Sequence, residues 1–188
     1  MIGILALQGG FDLHVQALQK LGAETRLIKK PAQLGGLNGL IIPGGESSVL
    51  LHLLSSEFRA AIIARIKDGL PLLATCAGLI LIAEHVENPS QESLGLLPVN
   101  VYRNAYGRQV DSVILKDIPL SGCKSTLLHE AVFIRAPKIT SVSATVKVLA
   151  LRESDPILVR YQNIVAATFH PELGENSSDV YEIAFSRF

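Results

Sequence analysis

The sequence has no surplus of either charge: 17 Lys and Arg stand against 17 Asp and Glu. Nothing therefore draws the chain as a whole to nucleic acid, to an anionic membrane or to an acidic substrate, and a partner has to be sought in local chemistry. Cysteine is scarce, with only Cys76 and Cys123. Two thiols without metal-ligand spacing exclude a disulfide scaffold, give no metal pattern and point to a reducing compartment, so a cytoplasmic location is expected. No apolar run approaches the roughly 20 residues of a membrane span, and the opening Met-Ile-Gly-Ile-Leu-Ala-Leu carries no basic leader. Internal repeats, low-complexity tracts and linkers are lacking as well. Charged residues make up only 18% of the chain and hydrophobic ones 48%, a balance that excludes disorder and calls for a large core. A length of 188 residues suits one well-filled domain spanning 1–188.

What is present is a regular alternation. Residues 2–7 form a short apolar run ended by Gln8-Gly9-Gly10, and apolar residues then recur at helical spacing over 12–21 until Gly22. Residues 24–28 and 39–42 read as further strands, the latter running into Pro43-Gly44-Gly45-Glu46-Ser47-Ser48. Helical signal returns over 49–54 and 58–67, Gly69-Leu70-Pro71 punctuates, and a fourth strand delivers Cys76, with 79–83 suited to begin a helix. Strands apolar on both faces that alternate with helices predict a mostly parallel sheet covered on each side, with a site beyond the carboxyl ends of its strands. After residue 87 the character changes to short β-rich runs at 94–101, 110–115, 131–134, 146–151, 157–161 and 164–168. These read as hairpins, some extending the central sheet, before a last helix near 179–185.

Cys76 is the residue to explain. A nucleophile on a strand-to-helix turn is held clear of the sheet, and the amide of the next residue, here Ala77, points to where an oxyanion would form. A thiol attacks poorly until it loses its proton, a loss that a nearby imidazole and a helix N-terminus both favour. From the residue alone, a small buried core cysteine is the other reading. His170-Pro171-Glu172 supplies an imidazole and a carboxylate two residues apart, on one side of an extended segment whose torsion Pro171 fixes. Taken alone, that tripeptide also reads as a surface turn. Gly44 and Gly45 let a backbone turn tightly and present an N–H, so Gly45 and Ala77 form a candidate oxyanion hole, although a plain turn capped by Ser47 or Ser48 has the same pattern. Arginines in Arg103-Asn104-Ala105-Tyr106-Gly107-Arg108-Gln109 and Phe133-Ile134-Arg135-Ala136-Pro137 suit a planar carboxylate, while spacing alone leaves them as solvated turns. His14, His52, His85 and His129 show no metal-ligand spacing and read as structural.

Taken in order, Leu7-Gln8-Gly9, Pro43 to Ser48, Thr75-Cys76-Ala77-Gly78-Leu79-Ile80, Arg103 to Gln109, Phe133 to Pro137 and Phe169-His170-Pro171-Glu172-Leu173 resemble the glutaminase subunits of pyridoxal 5′-phosphate synthase. These are class I (triad) glutamine amidotransferases. The resemblance spans nearly the whole chain and implies a flavodoxin-like three-layer α/β/α fold. It implies Cys76 as nucleophile, His170 as general base and acid, and Glu172 as its orienter. It also implies that Gly45, Glu46 and Ser47 line the site for L-glutamine, with Arg103, Ile134 and Arg135 contacting substrate or shaping the pocket. No cofactor and no metal are implied. The implied partner is a separate (β/α)₈-barrel synthase subunit that receives the ammonia, with docking near Gln8 and the early loop. An amidotransferase serving another synthase shares the triad, and a catalytically silent binding subunit shares the fold. One departure stands out: the class pattern Gly-x-Cys-x-Gly has Ala74 at its first glycine. An added methyl is accommodated there only if the backbone torsion is negative. Cys123, in a stretch without a family motif, is assigned no role.

Overall fold

Strands buried at every position offer no face to water, and four of them build the middle of this fold. The structure, a computed structural model, describes residues 1–103, 105, 113–174 and 178–185. In chain order its helices and strands are β1 (Ile2–Leu5), α1 (Phe11–Lys20), β2 (Thr25–Ile28), β3 (Gly39–Ile42), α2 (Ser47–Leu53), α3 (Ser56–Lys67), β4 (Leu72–Thr75), α4 (Ala77–Ile82), β5 (Ala83–Glu87), β6 (Leu97–Tyr102), β7 (Val113–Pro119), β8 (Leu127–Phe133), β9 (Lys138–Val142), β10 (Lys147–Arg152), β11 (Asp155–Tyr161), β12 (Ile164–Ala167) and α5 (Ser178–Phe185). β1, β3, β4 and β12 are buried at every position.

These four lie side by side in a 7-stranded sheet of order β10-β11-β12-β4-β3-β1-β2. β12, β4, β3, β1 and β2 pair in parallel, while β11 and β10 extend the sheet as antiparallel strands beyond β12. Alternate residues feed opposite cores. Leu40, Ile42, Leu72, Ala74, Ile164 and Ala166 pack on one face with α2, α3 and α4. Ile41, Leu73, Val165 and Ala167 pack on the other with α1, α5 and the β7–β8 pair. The result is the three-layer α/β/α arrangement of the flavodoxin-like class, with the β-rich additions expected of the second half.

The helices follow from simple patterns. In α3, Phe58, Ile62 and Ile66 recur at four-residue spacing and are buried, and the Ser55 hydroxyl accepts the Phe58 N–H at 3.2 Å as an N-cap. α4 has no polar face because every one of its residues is buried. Its close approach to the sheet depends on Gly78, where a methyl group would collide with the Ile42 carbonyl oxygen. Ala83, expected within this helix, instead takes an extended torsion and opens β5. β5, β6 and β9 make a separate 3-stranded sheet over the first core. Part of the expected strand at 110–115 lies outside the described residues; from Val113 onward it is β7.

Candidate active site

The parallel strands point their carboxyl ends the same way, so the segments after β1, β3, β4 and β12 converge at one edge of the sheet. They carry Gln8 to Gly10, Pro43 to Glu46, Cys76 and His170, respectively. Cys76 has φ 47° and ψ −108°, a conformation that a residue with a Cβ adopts only when its surroundings hold it there. Its N–H donates to the Ala167 carbonyl at 2.9 Å, pinning the turn to the end of β12. Ala74 sits in regular β4, paired with Ile42 and Ala166, and is not among the positive-φ residues, so its methyl is absorbed into the core. Ala77, fully buried, opens α4 directly after the thiol.

From Ala167 the chain needs only three residues to reach His170, whose own N–H is fixed by the Val132 carbonyl at 2.8 Å. A single turn of 3₁₀ helix, Pro171–Leu173, then brings Glu172 back against the imidazole, Nδ1 to Oε1 at 2.7 Å. The other side of the ring meets Cys76. Burial works to lower the His170 pKa, but side-chain hydrogen bonds to Cys76 and Glu172 outweigh it and raise it to about 10. Glu172 is buried, which pushes its carboxyl up; the facing His14 and the hydrogen bond from His170 prevail and hold it below the ordinary carboxylate value. Cys76, His170 and Glu172 thus stand in line, with a positive charge favoured on the imidazole between thiol and carboxylate.

Glycine is required beside this line. A Cβ on Gly44 would sit 2.5 Å from His170 Cε1 and 3.2 Å from Cys76 Cβ. The Gly44 carbonyl accepts the Gly10 N–H at 3.1 Å, and the Glu46 N–H donates to Gln8 Oε1 at 2.9 Å, so the first loop of the chain holds the glycine loop in place. Gln8 Oε1 occupies the space that a side chain on Gly45 would need.

The remaining predicted residues divide into two groups. Ser47 is buried at the start of α2, its hydroxyl donating to Gln91 Oε1 at 2.9 Å. Glu46 and Arg135 are both exposed and approach each other at 3.7 Å, which brings the segment after β8, including Ile134, to the glycine loop. Arg103 follows β6, its N–H donating to the Glu87 carbonyl and its C=O accepting from the Asn88 side chain; among the described residues no hydrogen bond or ion pair joins it to Cys76, His170 or Glu172. Asn104 and 106–109 of the same motif lie outside the described residues. Both cysteines are free thiols; Cys123 donates to the Ser125 carbonyl at 3.3 Å and packs at the margin of the second core. Among the described residues no group of three or more His, Cys, Asp and Glu side chains is placed to hold a metal ion, and no helix is long and apolar enough to cross a membrane.

Sequence reasoning missed one member of the site. His14, which reads as structural in the sequence, is buried on α1 and lies against the far side of Glu172, Nε2 to Oε2 at 3.3 Å.

A parallel α/β sheet that lines up cysteine, histidine and glutamate at its carboxyl edge has the architecture of the triad amidotransferases. The profile of the SNO glutamine amidotransferase family matches residues 4–188, and the chain belongs to that family. It is 48% identical over 177 residues to "Pyridoxal 5′-phosphate synthase subunit PdxT" of Thermotoga petrophila, covering 93% of both chains. The protein of the same name from Koribacter versatilis is also 48% identical over 177 residues, covering 92% of this chain and 88% of that one. A crystal structure described as a glutamine amidotransferase superposes with a TM-score of 0.87 at 39% identity, covering 97% of this chain and 98% of the other. The PurLQS structure from Thermotoga maritima, at TM-score 0.72 and 14% identity over 98% of this chain and 96% of that one, shares the fold.

Proposed function

We propose that this chain is the glutaminase subunit of pyridoxal 5′-phosphate synthase, hydrolysing L-glutamine to L-glutamate and ammonia for vitamin B6 biosynthesis. The observation that carries the reading is the line from a strained, buried Cys76 through His170 to a buried Glu172. The Cys76 thiolate attacks the side-chain amide carbon of glutamine, and the N–H groups of Ala77 and Gly45 receive the oxyanion. The His170 imidazolium gives its proton to the amide nitrogen, the C–N bond breaks, and ammonia leaves a glutamyl thioester. Water then attacks the thioester while His170 takes a proton from it, and breaking the C–S bond restores the thiolate and releases glutamate. Glu172 holds the imidazole with one nitrogen toward the sulfur throughout.

Gly45, Glu46 and Ser47 line the substrate pocket, with Ile134, Arg135 and Arg103 completing it. Glu46 and Arg135, side by side, present opposite charges to a ligand that carries both an ammonium and a carboxylate. Ammonia passes to a (β/α)₈-barrel synthase subunit that docks near Gln8 and the loop after β1. The peptide between Gly44 and Gly45 links docking to turnover. Its carbonyl is committed to Gly10, and its N–H points the opposite way, so a partner that shifts the Gln8 loop changes what that N–H faces. The chain works as one domain over 1–188, without cofactor or metal, and its free thiols suit the cytoplasm.

The test is glutamate release from glutamine by the purified chain, alone and with the barrel subunit, beside Cys76→Ala. Release that rises with the partner and vanishes in the variant is expected. Turnover indifferent to that partner would reopen the choice of synthase. Silence in a complex shown to have formed would leave a binding subunit.

A further inference from the structure

The triad's carboxylate has a second face that the mechanism does not use. Glu172 Oε1 is occupied by His170, while Oε2 is buried and has no aligned hydrogen bond among the described residues. What Oε2 meets is His14 Nε2 at 3.3 Å. Behind it, His14 Nδ1 lies 2.9 Å from the Tyr181 hydroxyl, and the two rings meet edge to face. Thr75, the residue before the nucleophile, places its Oγ1 3.4 Å from the same Nε2. His14 and Thr75 are inaccessible to solvent and Tyr181 is nearly so. The chain joins α1, the 3₁₀ turn and α5, elements far apart in sequence, at one buried spot.

The carboxylate charge favours one tautomer. Burial outweighs the pull of the Glu172 charge and holds the His14 pKa below its ordinary value of 6.5, which at neutral pH favours the uncharged ring with a single N–H to place. Burial also keeps the Tyr181 pKa raised, so the phenol retains its proton. If the N–H were on Nδ1, the bare Nε2 lone pair would face the carboxylate oxygen. With the N–H on Nε2 its partial positive charge lies between Thr75 Oγ1 and the carboxylate, 3.3 Å from Oε2, and Tyr181 donates to Nδ1.

We infer that His14 and Tyr181 form a buried relay of positioning residues that fixes the rotation of the Glu172 carboxylate, and through it the orientation of His170 toward Cys76. Neither touches substrate. A carboxylate held on one oxygen only swings about that bond, and a small swing moves the imidazole off its line to sulfur; misplacements of this kind reduce rate rather than substrate affinity. The inference deepens the glutaminase reading and rests on it.

The test compares His14→Phe, His14→Gln and Tyr181→Phe, each in complex with the synthase subunit, by kcat and KM for glutamine and by thermal unfolding. His14→Phe keeps the ring's bulk and removes the dipole; kcat is expected to fall about ten- to a hundredfold with KM unchanged. His14→Gln carries an N–H to about the place of Nε2 and recovers most of that loss. Nitrogen-15 NMR of the labelled chain should find His14 with its proton on Nε2, and Tyr181→Phe should shift it toward the other tautomer while lowering kcat. The relay is overturned by folded His14→Phe with wild-type kcat, by His14→Gln as impaired as His14→Phe, or by a proton on Nδ1 in the wild type. A wild-type complex that releases no glutamate overturns the glutaminase reading and the relay with it, an outcome separate from normal turnover that ignores His14.

Discussion

A single oxygen-to-nitrogen contact of 2.7 Å decides how the imidazole of His170 is used. Replacing Glu172 with glutamine keeps the shape and removes the charge that holds Nδ1 protonated. By analogy with acid-to-amide changes in other triads, kcat for glutamine should fall by about 10²- to 10⁴-fold with little change in KM. A fall in KM's favour alone, with kcat intact, would contradict the assigned role. Gly44 makes the opposite kind of prediction. A methyl there would push into His170 and Cys76, so Gly44→Ala should fold and yet lose glutamate release, because the displaced atoms belong to the site rather than to the core. Alkylation of Cys76 by iodoacetamide, followed by mass spectrometry, separates a displaced thiol from an unfolded chain.

At the scale of elements, α4 tests how tightly helix and sheet must meet. Gly78→Ala forces a methyl against the Ile42 carbonyl, and backbone cannot give as a side chain can. The expected cost is about 1–3 kcal/mol of stability, seen as a fall in Tm of about 2–4 °C per kcal/mol for a chain of this length. A change under half a degree would mean that α4 had slid without resistance. The elements that were legible in the sequence are those whose pattern is local. The apolar runs of β1, β3 and β4 announced a parallel sheet with Gly44, Gly45 and Cys76 at its strand ends, whereas β12 read as one of the later hairpin runs and instead pairs in parallel with β4, which is what brings His170 to the same edge. β5 was not legible because it follows α4 without a turn residue and its burial does not alternate. β9 was missed for lack of a signal of its own, being a short strand just past Pro137 with two exposed residues in succession. His14 showed no metal-ligand spacing and read as structural. What it faces is set by Tyr181, 167 residues later, and no periodicity within α1 reports that.

The whole molecule feels these groups through pH. His170 is raised in the folded state, so its contribution to stability is complete below its ordinary value of 6.5 and is lost as pH rises toward about 10. His129, raised by its hydrogen bond to Asp179, acts in the same direction. His14 is lowered by burial, so its contribution is present above 6.5 and shrinks as pH falls. Glu172 is lowered despite burial, and its contribution disappears as pH drops below 4.5. The urea midpoint should therefore peak near pH 6.5 and decline on both sides. His14→Phe should flatten the arm just below the peak and leave the alkaline arm standing. A midpoint that keeps rising from pH 7 to about 9 would contradict the raised His170.

The bond from the Cys76 amide to the Ala167 carbonyl crosses from β4 to β12, in the middle of the sheet. Cys76 and His170 therefore hang from neighbouring strands, tied together by a hydrogen bond at the middle of the sheet. The amide proton of Cys76 should accordingly trade with deuterium on the clock of global unfolding, hours behind the amides of the glycine loop. Any rearrangement around the thiol falls to the loops above it, since the strands beneath are locked into the sheet.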